Sequence, residues 1–169
     1  MGQKLFFESR LSGDGTVACA TCHDPDRAFT DGRPVSVGID GRVGQRNAPT
    51  ILNALYNKYQ IWDGRVATLE QQAALPITNR FEMGLASIGD AVSRIASDKD
   101  YQTQFMQAFG REVNEQDMLS AVAAYERTLA SFDSPSTISS RERQTPSATR
   151  PNAVGNCSIP RLVATSATL

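Results

Sequence analysis

Residues 12–32 read SGDGTVACATCHDPDRAFTDG. Inside this stretch Cys19, Cys22 and His23 place two thiols and an imidazole within five consecutive positions, and His23 is the one histidine in the 169 residues. C-x-x-C-H is the attachment pattern for c-type haem. Two thiols three residues apart on a helical turn reach the two vinyl groups on one edge of a porphyrin, and the adjacent imidazole swings under the ring to ligate the iron. Its second ring nitrogen then needs an acceptor to fix the tautomer. Three rivals use the same residues. A thioredoxin-like redox pair requires a βαβ context that the sequence does not offer. A zinc site requires four ligands, and Cys19, Cys22 and His23 supply three. An ordinary disulfide needs only the pair.

The sixth axial position decides the chemistry. Electron-transfer cytochromes fill both axial sites, commonly with Met/His or His/His. No second histidine exists, and the methionines are Met1, Met83, Met106 and Met118. Met106 and Met118 read as core residues on apolar helical faces, which leaves Met83 as the candidate sixth ligand. If Met83 does not bind, the iron has an open face that can take peroxide.

Composition narrows the class further. The net charge is −1 with no basic stripe, which argues against a nucleic-acid partner. No apolar run approaches the roughly 18 residues of a membrane span. MGQKLFFESR at the start lacks the apolar core of a signal peptide. The charge balance shifts at Asp133. Of 18 acidic and 17 basic residues, only Glu142 and four arginines follow it, and 12 of the 36 residues from Ser134 to Leu169 are Ser or Thr. The expectation is a domain over 1–133 and a disordered tail over 134–169.

Within 1–133 the periodicity is helical. GQKLFFES forms a short first helix with Leu5 and Phe6 side by side. Thr50 caps an apolar turn in RNAPTILNALYN. ATLEQQAALP is a helix terminated by Pro76. SIGDAVSRIAS starts at a Ser or Asp cap and turns Ala91, Val92, Ile95 and Ala96 to one face. DKDYQTQFMQAFG carries Tyr101, Phe105 and Phe109 at a spacing of four and stops at Gly110. NEQDMLSAVAAYERTLAS pairs Asn114 with Asp117 at its start and buries Met118, Val122, Tyr125 and Leu129. Residues 30–44 read as a long ordered loop. The fold class expected is all-α, a cytochrome c-like haem domain with long loops wrapped around a cofactor.

Several motifs occur together and in order: LFF, CATCHDP, AFTDG, RNAPT, WDGR, LEQQA followed by PITN, and EMG. Over residues 2 to about 134 the chain resembles the N-terminal haem domain of the bacterial di-haem cytochrome c peroxidases and their methylamine-utilisation relatives. The resemblance implies one covalent haem c on Cys19, Cys22 and His23, hydrogen peroxide as substrate, and a small electron-donor protein, a cytochrome c or a copper protein. It implies that Gln72, Pro76 and Glu82 line the distal face, with Glu82 as general acid–base. It makes Trp62 the tryptophan between two haems, although a lone Trp is also a good core residue, and Asn47 a ligand of an inter-haem calcium. Arg46 is a candidate contact for a haem propionate. PVSVGIDGRVGQR, the loop that carries a distal histidine in many members, has no His, Met or Lys. This resembles the subset whose peroxidatic haem is open without activation, so a high-spin ferric haem is expected. A homodimer is the candidate assembly. Haem c is attached outside the bacterial cytoplasm, so a periplasmic location is implied.

The family's second haem domain has its own C-x-x-C-H, and this chain has one such motif. Read one base out of phase, codons for Val163 to Thr168 can encode a second C-x-x-C-H, and Arg150 to Ser158 can encode A-K-R-G-W-E-L-F. The tail after about Pro135 is therefore expected to be a frameshifted reading of that second domain. The nucleotide sequence decides this.

Overall fold

The computed structural model describes residues 1–132, so the expectation of a disordered, frameshifted tail lies outside the described residues. Among the described residues six α-helices follow one another: α1 (Gly2–Phe6), α2 (Cys19–Cys22), α3 (Leu69–Thr78), α4 (Ile88–Ala96), α5 (Lys99–Phe109) and α6 (Glu115–Thr128). Three isolated bridge pairs occur, but no strand among the described residues. The all-α expectation holds. None of these helices is long and apolar enough to cross a membrane.

Alone, α1 is too short to be stable in water. It is held by α6. Gly2 meets the backbone carbonyl of Ala121 so closely that a Cβ there would clash with it, and the absence of a side chain lets the two helices meet backbone to backbone. Leu5 and Phe6 then disappear entirely into the core. α3 packs on α6 as well, and the stripes of α4, α5 and α6 complete a continuous cluster. Ala91, Ile95, Tyr101, Phe105 and Met118 in that cluster are fully buried.

Polar residues at the helix ends satisfy the first free N–H groups. Thr68 Oγ1 accepts from Gln71 N (3.2 Å), Ser87 Oγ from Asp90 N (3.1 Å), Asp98 Oδ1 from Asp100 N (2.8 Å) and Asn114 Oδ1 from Asp117 N (3.0 Å). Gly110 closes α5 at φ 68°, where a left-handed residue is needed.

Three expectations change. Pro76 does not end its helix; α3 runs on to Thr78. A proline loses the bond to the carbonyl four residues back and crowds that carbonyl. Near the end of a helix little lies beyond it to disrupt, and here the final turn is closed by Asn79 N donating to Leu75 O (3.1 Å). Met106 is not a core residue and stands 53% exposed. It follows Phe105 by one position, a rotation of about 100° off the buried face. Thr50 caps no helix. Its hydroxyl accepts from Leu52 N (3.2 Å) in a local turn, and the 3₁₀ turn beyond it begins after Asn53.

The segment between α2 and α3 is the long loop region, and it is ordered by its own backbone bonds. Around residues 36–46 it folds back on itself: Ser36 N donates to Arg46 O (3.0 Å), Gly44 N to Ser36 O (2.8 Å) and Gly38 N to Arg42 O (2.9 Å). Gly38 lies against the carbonyls of Phe81 and Glu82, where any Cβ would collide, and Ile39 N donates to Glu82 O (2.9 Å). The loop thereby fixes the backbone that carries Glu82.

Candidate functional site

The C-x-x-C-H residues form the single turn α2 with His23 as its C-cap. Thr21 Oγ1 accepts from Ala18 N (3.0 Å), and His23 N donates to Cys19 O (2.9 Å). Cys19 and Cys22 therefore sit three residues apart on one face of a turn. Burial pushes the Cys19 thiol up to about 12 and the Cys22 thiol up to about 11, so both keep their protons at neutral pH.

His23 Nδ1 lies 3.1 Å from the carbonyl oxygen of Phe29 and 3.1 Å from that of Pro49. Both partners only accept, so Nδ1 carries the hydrogen and Nε2 keeps a bare lone pair. Burial lowers the pKa of the ring, against the pull of the two carbonyls, and favours the neutral form that ligates metals. The two carbonyls come from separate loops that are stitched together. Thr30 Oγ1 donates to Ala48 O (2.8 Å), and Thr50 Oγ1 donates to Ala28 O. Ala28 and Phe29 both sit at positive φ, 53° and 57°, a conformation that costs non-glycine residues roughly 1–2 kcal/mol each. This explains why AFTDG and RNAPT accompany the attachment motif: they build the acceptor cage of its histidine.

Cys19, Cys22 and His23 open on a cavity of about 650 Å³, a size suited to a cofactor (~300–1,000 Å³). Gln72, Pro76 and Glu82 line the same cavity. Gln72 and Pro76 are one turn apart on α3 and share a face. Asn79, one residue past the helix, donates from Nδ2 to Glu82 Oε1 (2.8 Å). Burial raises the pKa of Glu82, opposed by the Asn79 bond and by the charge of Arg65. Met83 is 2% exposed and also lines the cavity.

Arg46 and Trp62 reach the cavity and a second, shallower one of about 380 Å³ that also includes Asn47. Trp62 is not a core residue; it is 56% exposed. Its indole N–H donates to the Asn47 carbonyl (3.0 Å), which holds the ring at the surface. Asp63 accepts from both Arg46 (3.3 Å) and Arg65 (2.8 Å). The structure thus brings Cys19, Cys22, His23, Arg46, Asn47, Trp62, Gln72, Pro76, Glu82 and Met83 to one cavity or its mouth.

The sequence matches the family described as di-haem cytochrome c peroxidase over residues 1–144. The chain belongs to the di-haem cytochrome c peroxidase family. It is 38% identical over 135 residues to cytochrome c peroxidase Ccp of Escherichia coli, covering 80% of this chain and 29% of that protein. It is 41% identical over 139 residues to cytochrome c551 peroxidase of Pseudomonas aeruginosa, covering 80% and 40%. A crystal structure of a MauG-like protein associated with microbial copper homeostasis superposes with a TM-score of 0.76 at 35% identity, over 84% of this chain and 43% of that one. The chain spans less than half the length of these relatives.

A di-haem cytochrome c peroxidase implies haem c, and the residues fit that group. Two protonated thiols on one turn are the reactants for thioether formation. The imidazole nitrogen left free of hydrogen is the one available to iron. Three residues of this family member were not foreseen. Asn79 lies within PITN but had no evident role until its bond to Glu82 appeared. Arg65, in WDGR, faces Glu82 across chain segments that no spacing rule connects. Glu126 occupies a position four after Val122, on the buried face of α6, and that misplaced charge was the available signal.

Proposed function

We propose that residues 1–133 form the peroxidatic haem c domain of a periplasmic peroxidase that reduces hydrogen peroxide to water, with electrons from a small cytochrome c or copper protein. The observation that carries this reading is the sharing of one cavity by the attachment motif and the Gln72, Pro76 and Glu82 set. A bound haem c supplies the redox-active iron. Cys19 and Cys22 would tether it and His23 Nε2 would ligate its iron, with Nδ1–H anchored to Phe29 and Pro49. Across the full reaction, hydrogen peroxide takes two electrons from the donor protein and two protons from solvent to give two waters. Within this, Glu82 would accept the proton from the inner peroxide oxygen and deliver it to the outer one, which leaves as the first water when the O–O bond breaks. A raised pKa suits a carboxyl that must both take and return a proton near neutral pH. Asn79 orients it, and the Gln72 amide positions the peroxide. Arg46 contacts a propionate. Trp62, held by its bond to the Asn47 carbonyl, would relay electrons from a second redox centre, and Asn47 would contribute a ligand to calcium.

The test is mass and optical and spin-resonance spectra of exported, haem-loaded protein, with and without peroxide. The expected result is one covalent porphyrin adduct with a high-spin ferric spectrum that peroxide alters. Absence of the adduct overturns the proposal. Glu82→Gln is expected to lower peroxidase turnover by roughly 10²–10⁴-fold, the range for losing a general acid–base, with the ferric spectrum retained.

A second reading is favoured by the burial of Met83 in the same cavity wall: an electron-transfer domain with Met83 as sixth ligand. It requires a low-spin spectrum that Met83→Ala converts to high spin.

A further inference from the structure

Glu126 lies in the last turn of α6, is 4% exposed, and lines the cavity that contains Cys19 and His23. Its Oε2 is the one buried side-chain oxygen or nitrogen among the described residues without a hydrogen-bond partner. An ionised carboxylate in such a place lacks donors and meets the negative end of the helix dipole. Its charged surroundings do little to relieve this. Arg127, next on the helix, is engaged by Glu70 of α3 (2.7 Å), and Glu70 itself repels a second negative charge. From α2 the facing group is Cys19, which carries no charge as a thiol or a thioether. The remaining ionisable groups of the wall include His23, Glu82, Arg46 and Arg65. Burial, with Glu70 in support and Arg127 opposing, pushes Glu126 up to about 7.

No step of the peroxide chemistry uses this carboxyl. A half-stabilised charge in the wall of a redox cofactor's cavity has a different consequence. Charges in a protein interior interact far more strongly than in water, so an electron added to the cofactor raises the proton affinity of an adjacent carboxylate. We propose that Glu126 is the redox-linked proton site of the cavity: its carboxylate takes one proton from solvent when the iron gains one electron from the donor protein, and releases it when the iron loses that electron. One negative charge enters with the electron and one positive charge with the proton, so the net charge of the cavity is conserved. The inference rests on the haem c reading.

The experiment is spectroelectrochemical titration of the haem-loaded full chain as a function of pH, after mass spectrometry has established the covalent adduct. The midpoint potential of the wild-type chain is expected to fall across a window around neutral pH. The slope approaches 59 mV per pH unit, a tenfold change in proton concentration converted for a one-electron couple. Glu126→Gln is expected to flatten that window. A flat wild-type profile, or an unchanged slope in Glu126→Gln, overturns the proposal. If Glu126→Gln does not fold, redox-difference infrared spectra of the wild type and of Glu82→Gln decide. Both must gain a protonated-carboxyl band on reduction that shifts in deuterated water, and its absence overturns the proposal. Failure to find the adduct removes the haem reading itself, whereas an adduct with a flat profile removes only this inference.

Discussion

The two ends of α6 each bury a carboxyl side chain to the same degree, Asp117 at 3% exposure and Glu126 at 4%, with opposite results. Asp117 lies in the first turn. Arg111 donates to it through Nε (2.6 Å) and Nη2 (2.7 Å), and Asn114 adds a third bond (2.6 Å). The Arg111 fork, more than any other contact, holds its pKa below the usual carboxylate range. Glu126 lies in the last turn, where the dipole is reversed and Oε2 has no donor. Burial alone does not decide whether a carboxyl is ionised. The supply of donors and the end of the helix do.

The largest effect that sharpens this contrast is the pH dependence of stability at Glu126. The folded chain holds its proton more tightly than the unfolded chain, whose glutamate titrates near 4.5. The contribution of Glu126 is therefore complete below that value and is lost as pH rises through about 7. At 1.36 kcal/mol per pKa unit the loss is about 3 kcal/mol. Denaturant titrations of the wild type should show this decline with rising pH, and Glu126→Gln should remove it. Next comes Asn114→Ala, which deletes both the cap of α6 and one donor to Asp117. It should cost about 1 kcal/mol in chemical denaturation at neutral pH. Arg111→Gln acts in the opposite pH direction from Glu126. The Asp117 contribution is present above its unfolded pKa and is lost as pH falls through its lowered folded value. Without Arg111 that loss begins at higher pH, so the acid-unfolding midpoint monitored by circular dichroism should move up. The smallest change is expected at Met106, one residue off the buried face of α5. Met106→Ser should alter stability by less than about 0.5 kcal/mol, and a larger loss would return it to the core.

Helices were legible where a cap and a stripe coincided. Asn114 with Asp117, Ser87 with Asp90, and the run Tyr101, Phe105 and Phe109 all fix their elements locally. Pro76 misled because its cost depends on how the final turn is closed, which involves Asn79 and no signal in ATLEQQAALP. At the site, C-x-x-C-H announced the cofactor and the family motifs pointed to Glu82. The supports were silent. His23 is oriented by carbonyls 6 and 26 residues away, and backbone acceptors leave no trace in residue identity. Trp62 shows the same limit from the other side, since a large apolar ring says nothing of whether its N–H will be met by a surface carbonyl such as that of Asn47.

Gly38 carries a consequence for evolution at this cavity. A Cβ there would collide with the carbonyl oxygens of Phe81 and Glu82, so a single added methyl would displace the loop that carries Glu82 by meeting its backbone alone. The mutational route to reshaping this cavity therefore includes a position more than forty residues upstream, and drift there would be filtered through the placement of Glu82 as well as through folding.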